Sequence, residues 1–578
     1  MPSKTPKFDS ALDAIFATLA PHERVCKQCN LSFQIEAEDI EFLKKLRVPP
    51  PTLCPRCRLQ RRMASRIRLR PVFYKKSCAA PGHSEKIVSF LDEDNPVPVY
   101  DDAYYRSDAW DPFSFATTYD ASVPFFKKFA EFAANFPHQT ANKDVQSINC
   151  DFVVSGVQAK NCYYVAVPYL SENLQYGHLG VNSKDCLEFL SIDSVENSYH
   201  SVRGLRSYNC LFCVDSADCV DSSFLFDCKN CMNCFMSSNL RNAKYVWKNE
   251  QLSKEVYEKR LLDVDLGSYT VLETYRRKFE ELCKKAIHKN LDILKSENCV
   301  GNNLRNCKNC INTYECFGGG ENIKNVMSSL KVTDSLDTYG STDTSLAYDC
   351  AGTPVCIKCK FSLLIRTGLE VEYSVECINV EFCFACFGLR GKKFCIFNKQ
   401  YDENEYWEKV DAIKTAMLAR GEYGEFFSIA DSPFPYNDSD AQLEFPLTRD
   451  EVSARGWKWH DKKENPVDLS GLNVIKAADL PDNIRDVTDD ILHKAVLCME
   501  TGRPFRLTPY ELAFYRQHNL PLPRLHPDVR INKLFEFRIP YHLYTDTCKK
   551  CGKSIQSGYD PDKGYTVYCE QCYQQEVV

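Results

Sequence analysis

Asn149, Asn161, Asn173, Asp185, Asn197, Asn209, Asp221 and Asn233 recur at a fixed interval of 12 residues. Such a run restricts the chain to architectures in which one short unit is stacked on copies of itself. The residue after each of these is Cys150, Cys162, Leu174, Cys186, Ser198, Cys210, Ser222 or Cys234, and two positions further stand Phe152, Tyr164, Tyr176, Glu188, His200, Phe212, Phe224 and Met236. Val154, Ala166, Leu190, Val202, Val214 and Phe226 follow after another two. Small, then mostly aromatic, then mostly aliphatic side chains at alternate positions predict one inward strand face. The Asn or Asp before it suits a left-handed or Asx-type turn. The reading is a β-solenoid. Inward aromatics would overfill a 12-residue coil, so two units, about 24 residues, are expected per coil.

A second tract repeats less cleanly, with Asn325, Asp337 and Asp349 at the same step and then Cys359, Val371, Cys383 and Cys395 in a shifted register. Both tracts run into an amphipathic helix, with Ser253 and Asp402 as the expected N-caps. His178 and His200 fall at inward positions, where they are read as core histidines.

The period also interprets the cysteines, of which the 578-residue chain has 31. In the 12-residue frame Cys228 occupies the slot of Gly156, Gly180, Gly204 and Ser216, and Cys231 that of Ala159, Ser171, Ser183 and Ser207. A metal ligand cannot be exchanged for Gly or Ala in the next coil, whereas a small buried filler can. The middle cysteines are therefore read as ladders of reduced thiols. Opportunistic metal capture by pairs such as Cys228 and Cys231, Cys307 and Cys310, or Cys383 and Cys386 is the lesser alternative, and disulfides come last.

The two ends differ. Cys26-x2-Cys29 and Cys54-x2-Cys57 enclose 24 residues, and Cys548-x2-Cys551 and Cys569-x2-Cys572 enclose 17. Each set supplies the four thiolates that tetrahedral zinc favours, so two structural Zn2+ ions are expected. A shift of 472 residues aligns the ends without a gap, pairing Cys26 with Cys498, Phe33 with Phe505, Phe42 with Phe514, Pro49 with Pro521 and Arg58 with Arg530. The ends are thus copies of one module that carried two knuckle pairs. The degenerate pairs keep Cys498 and His526, with Thr501 and Val529 at the other ligand positions, and Cys78, His83 and Asp101, with Tyr104 in place of the last cysteine. Two-ligand remnants read as vestigial, and the Cys78, His83, Asp101 set as one that could hold zinc weakly.

Net charge is −6, which suggests no general affinity for nucleic acid. From Thr52 to Ser84, however, the chain has no Asp or Glu, and Arg56, Arg58, Arg61, Arg62, Arg66, Arg68 and Arg70 follow the second knuckle. Such a cluster can grip phosphates of RNA or DNA. Alternatively, these arginines stack on aromatic rings or cover acidic residues of the module such as Glu36, Glu38 and Asp39. The C-terminal copy keeps only Arg530, Lys533 and Arg538 over this stretch, so the fold does not need the full run. Walker, HExxH, GxSxG and dinucleotide motifs are lacking. Solenoid enzymes acting on polysaccharides or other polymers display carboxylates on one outer face, and Asp215, Asp218 and Asp221 are the candidates for such a row.

The paired knuckles "CKQC…PPPTLCPRCRLQRR", the Asn-Cys repeats closing on "GLRGKKFCIFNKQYDENEY" and the final "CKKCGKSIQSGYDPDKGYTVYCEQCY" resemble an uncharacterised family of zinc-ribbon, cysteine-repeat proteins of uncultivated small-genome bacteria. The resemblance spans essentially the whole chain and implies a bacterial, intracellular protein with structural zinc. The chain departs from the family pattern at Asp101, Tyr104, Thr501 and Val529, where cysteines are usual.

The expected fold is mainly β: two β-solenoid tracts with helical inserts, flanked by duplicated zinc-ribbon-like modules. The expected order is an N-terminal zinc-knuckle module (1–109), a helical connector (110–148), the first solenoid tract (149–252), a helical insert (253–297), the second tract (298–401), a helix and extended linker (402–490) and a C-terminal zinc-ribbon module (491–578). A cytoplasmic, non-enzymatic scaffold for a protein, RNA or DNA partner is the leading reading. The alternative is a solenoid enzyme acting on a polymer. No run of about 18 apolar residues suggests a membrane span.

Overall fold

The computed structural model describes residues 3–70, 72–140, 143–461 and 469–578. The part of the expected linker over 462–468 lies outside the described residues. The fold is mainly β with helices between and around two large sheets, one of ten strands from Asp151–Val154 to Glu250–Gln251 and one of eleven from Ile293–Leu294 to Lys399–Gln400. In each sheet neighbours are parallel until the last strand, which turns back antiparallel. Among the described residues, no helix is long and apolar enough to cross a membrane.

In the first sheet each parallel strand pairs with the one 12 residues later: Lys184 opposes Glu196, Tyr199 opposes Leu211, and Cys210 opposes Ser222. Outside the named strands, bridges from Leu205 to Ala217, Lys229 and Arg241 keep the same step. One repeat therefore makes one layer, not the two units and longer coil expected from the sequence. The reason is the backbone. From Asn149 to Lys248 every third residue has a positive φ, close to the left-handed region. The chain thus bends every three residues, and side-chain direction follows a period of three where a plain strand would give two.

This period sorts the side chains. The residue after each left-handed position points inward, and those residues form narrow columns: Cys150, Val153, Ala159, Cys162 and Val165 in one part, Cys210, Cys213, Cys219, Cys228, Cys231 and Cys234 in another. The aromatics expected inside stand at the left-handed positions and point outward. Phe212 stacks on Phe224 with centroids 4.8 Å apart and planes 5° from parallel. Phe212 and Phe224 are buried because other elements cover them: they share a core with Leu272 and Phe279 of the helix Tyr269–Lys285 and with Phe514 and Leu522 of the C-terminal module. His178 and His200 belong to this outer, covered face, with His200 stacked on Phe212 at 4.8 Å.

Left-handed φ costs a non-glycine residue roughly 1 kcal/mol or more, and Asn and Asp tolerate it best. That explains the repeated Asn and Asp. Their side chains also bond along the stack, Asn149 Nδ2 donating to Asn161 Oδ1 at 3.1 Å, Asn161 to Asn173 at 3.0 Å and Asn173 to Asp185 at 2.7 Å. The inner thiols are equally regular. Cys186 Sγ donates to the carbonyls of Lys184 (3.2 Å) and Val195 (3.4 Å), and Ser171 Oγ donates to the equivalent Tyr169 (2.9 Å) and Gly180 (3.0 Å). Cys228, Cys231 and Cys234 follow the pattern, donating to Phe226, Lys229 and Met232. Cysteine and serine are interchangeable there because both are small donors to the same carbonyls.

The irregular second tract has a local cause. Cys299 opposes Cys310 at a step of 11 with a register shift at Val300 and Gly301, Lys308 opposes Glu321 at a step of 13, and the 12-residue step resumes at Leu330 and Thr342. The extra residue falls in the glycine turn, where Gly318 and Gly319 have φ of 74° and 101°. Both N-caps form as expected: Ser253 Oγ accepts from Val256 N at 3.3 Å, and Asp402 Oδ1 from Glu405 N at 3.0 Å.

The chain forms two compact units. One unit joins the N-terminal module to the second sheet, within Leu291–His460, and the other joins the first sheet to the C-terminal module. The partner of each module is thus the sheet farther from it in sequence.

Candidate metal centres

In the N-terminal module the hairpin His22–Val25 with Ser32–Ile35 ends in the first knuckle. Cys26 N donates to Leu31 O (3.0 Å) and Asn30 N to Cys26 O (2.9 Å), with Asn30 at φ 60°, so the turn tips the sulfurs of Cys26 and Cys29 to one side. Lys27 N then bonds Thr52 O at 3.2 Å and brings up the second knuckle, where Cys54 N donates to Cys26 Sγ at 3.3 Å. Cys54 precedes the helix Pro55–Ala64, which places Cys57 in its first turn. The four sulfurs lie within 4.8 Å of one another. Sulfurs about 2.3 Å from a tetrahedral zinc stand about 3.8 Å apart, and Cys29 Sγ lies 3.8 Å from Cys54 Sγ. A hydrogen bond from the Cys57 thiol brings Cys54 down to about 5, so a thiolate is available at neutral pH.

The C-terminal module repeats this. Cys548 N donates to Lys553 O (2.9 Å), Gly552 N to Cys548 O (2.9 Å) with φ 74°, and Lys549 N to Val567 O (3.0 Å). Cys569 N donates to Cys548 Sγ at 3.3 Å and precedes the helix Glu570–Val577, and Cys551 and Cys569 sulfurs are 3.8 Å apart. Burial raises the Cys548 thiol, but the backbone amides of Cys551 and Cys569 bring it down to about 6. These two tetrathiol groups can each hold a metal ion.

The degenerate pairs share the skeleton. Cys498 N donates to Arg503 O and Met499 N to Arg524 O, both at 3.0 Å, and His526 stands before the helix Pro527–Phe535. Cys498 and His526 belong to no group of three or more converging donors among the described residues, and His526 Nδ1 already accepts from Asp528 N at 3.1 Å. Burial lowers that imidazole to about 4. Cys78, His83 and Asp101 do come together, with Glu85, which the sequence reading missed, as a fourth donor.

The arginine run is not the solvent-facing strip that phosphate binding requires. Arg58, Arg61, Arg62, Arg66 and Arg68 are buried, Arg70 is half-buried, and Arg56 alone is exposed, lying 4.8 Å over the Phe445 ring. The knuckle helix lies against the second sheet, where Asp337 and Asp349 project outward from left-handed positions and are 0% exposed. Arg58 Nε donates to Asp337 at 2.8 Å, and Arg61 and Arg62 both donate to Asp349 at 2.7 Å, with Arg61 also 2.9 Å from Glu425. In the other unit Arg530, the counterpart of Arg58, does the same work: it donates to Glu188 (2.8 Å) and Glu511 (3.1 Å) and lies 4.3 Å over the Tyr176 ring. The identity of Arg58 and Arg530 under the 472-residue shift was the signal for this docking role.

The outward carboxylates are also engaged. Asp215 pairs with Arg203 at 2.6 Å, Asp218 with Arg206 at 2.7 Å, and Asp221 accepts from Asn209 at 2.7 Å. Among known proteins, no family model, no curated protein and no solved structure matches the chain.

Proposed function

We propose that the protein is a non-enzymatic scaffold of two β-solenoid blocks, each clamped by a zinc-ribbon-like module whose Zn2+ ion is structural. The observation that carries this reading is the continuous link from cradle to repeat. Cys54 and Cys57 start the helix whose Arg58, Arg61 and Arg62 reach the repeat residues Asp337 and Asp349. Four thiolates close the coordination sphere and leave no open position for substrate, which suits a structural ion. An ion there would fix the helix, and the helix would fix the arginines in the stack.

The arginines committed to Asp337, Asp349, Glu188 and Glu511 are not available to phosphates, so the reading favours a protein partner over RNA or DNA. Pairing of Asp215 and Asp218 with arginines likewise disfavours a polymer-cleaving row, which needs carboxylates free to reach substrate. Buried thiol columns suit a reducing compartment such as the cytoplasm.

The test compares native and metal-stripped protein by thermal unfolding and near-UV circular dichroism. The reading expects removal of zinc to lower the midpoint and loosen the modules. An unchanged midpoint in protein proven metal-free would refute a structural ion.

A further inference from the structure

We propose that Cys78, His83, Glu85 and Asp101 form a third metal site, for an exchangeable divalent first-row ion such as zinc. It is distinct from the two tetrathiol cradles in donor set and in access.

The backbone at this site repeats that of the cradles. Cys78 N donates to Glu85 O at 3.0 Å and Ala79 N to Val99 O at 2.9 Å, the bonds that Cys26 with Lys27 and Cys548 with Lys549 make in the cradles. Asp101 N donates to Cys78 Sγ at 3.4 Å, as Cys54 does to Cys26 and Cys569 to Cys548. Asp101 also precedes a helix, Asp102–Arg106, and its Oδ1 caps the amides of Ala103 and Tyr104 at 2.9 and 3.0 Å. Oδ2 therefore remains to face the knuckle. Cys78 and Asp101 thus occupy the first and third ligand positions of a metal knuckle, with an oxygen donor replacing a sulfur.

The side chains also converge. Tyr104 fills the fourth ligand position and cannot serve there as a cysteine would, but its ring packs edge-on against His83 at 5.0 Å and holds the imidazole in the knuckle. Glu85 supplies the missing donor. The four donor atoms lie within 4.8 Å of one another, with His83 Nδ1 3.4 Å from Asp101 Oδ2 and Cys78 Sγ 3.9 Å from it. Around a tetrahedral zinc those separations would be about 3.4 and 3.6 Å from the usual bond lengths. Glu85 Oε1 is 2.7 Å from His83 Nδ1, a hydrogen bond that metal binding would replace by a bond from each atom to the ion, the two separating to about 3.4 Å.

The donor set predicts behaviour. One sulfur, one nitrogen and two oxygens make a harder, less thiophilic site than four sulfurs. Cys78 is buried, His83 and Asp101 are half-buried and Glu85 is exposed, so the ion is reached from the Glu85 side. This ion should exchange while the other two stay.

The inference borrows the module architecture proposed above, and one experiment separates the two. Full-length protein is loaded with excess Co2+ under reducing conditions, desalted, and assayed for metal and absorption, then washed with a mild chelator. We expect three equivalents, the third lost in the wash, and only two in Glu85→Gln and Asp101→Asn, whose native circular dichroism is retained because Glu85 is exposed and Asn still caps a helix. The third equivalent should carry about a quarter of the thiolate-to-cobalt absorption of each other ion, since it has one sulfur in four. Two equivalents in the wild type, or three that neither variant reduces, would overturn the third site. Loss of the strongly absorbing equivalents instead would overturn the tetrathiol reading and leave this one standing.

Discussion

Inside the stacks each cysteine is one small donor among equivalents. Burial pushes the Cys186 thiol up to about 12, so at neutral pH it stays protonated and keeps donating to Lys184 and Val195. Cys162, in the same column, should tolerate Ala at a cost on the order of 1 to 2 kcal/mol by urea unfolding, whereas Trp should prevent a native fold by overpacking the column. Equal damage from both substitutions would point to ligation instead. Glu188 supplies a pH signature. Burial opposes its charge, yet Arg530 holds it at about 2 in the folded protein, against an ordinary 4.5. A lowered carboxyl stabilises above its unfolded value, so this contribution is complete above pH 4.5 and is lost as pH falls toward 2. It amounts to on the order of 3 kcal/mol. Glu188→Gln should flatten the stability profile in that window and lower stability at pH 7, as read by chemical unfolding at several pH values. A profile identical to that of the parent would refute the assignment.

At the scale of elements, the knuckle helix is the joint between module and stack. Asp349 neutralises two buried arginines, so Asp349→Asn leaves charge without compensation and should cost roughly 3 to 5 kcal/mol. Arg56→Glu, on the exposed side of the same helix, should change stability by about 0.5 kcal/mol or less, since the side chain is exposed and lies over the Phe445 ring. Denaturant midpoints of the two variants decide the matter, and a mild Asp349→Asn would contradict the docking role. This joint was only half legible in the sequence. The knuckles, both N-caps and the 12-residue step could be read because each depends on local spacing. Which way Phe212 and Phe224 point could not be read by assuming strand alternation, because a left-handed residue every third position changes the period. The spacing of Cys228, Cys231 and Cys234 by threes carried that information. The partners of the arginines could not be read, because an acid-free run shows nothing of Asp337 and Asp349, nearly 300 residues away.

At the scale of the whole molecule, each of the two compact units joins one tetrathiol group to one large sheet whose strands pair mostly at a 12-residue step. Stacked repeats are stabilised mainly by nearest-neighbour contacts, so damage to one module should stay local. Cys569→Ser removes one sulfur of the C-terminal cradle and should loosen that module while the far-UV signal of the stacks persists. The most direct test counts ions by native mass spectrometry after exhaustive treatment with a strong chelator, in the wild type and in Cys569→Ser. The account predicts two retained zinc ions in the wild type and one in the variant. Retention of iron, retention of many more than two zinc ions, or an unchanged count in Cys569→Ser would contradict it.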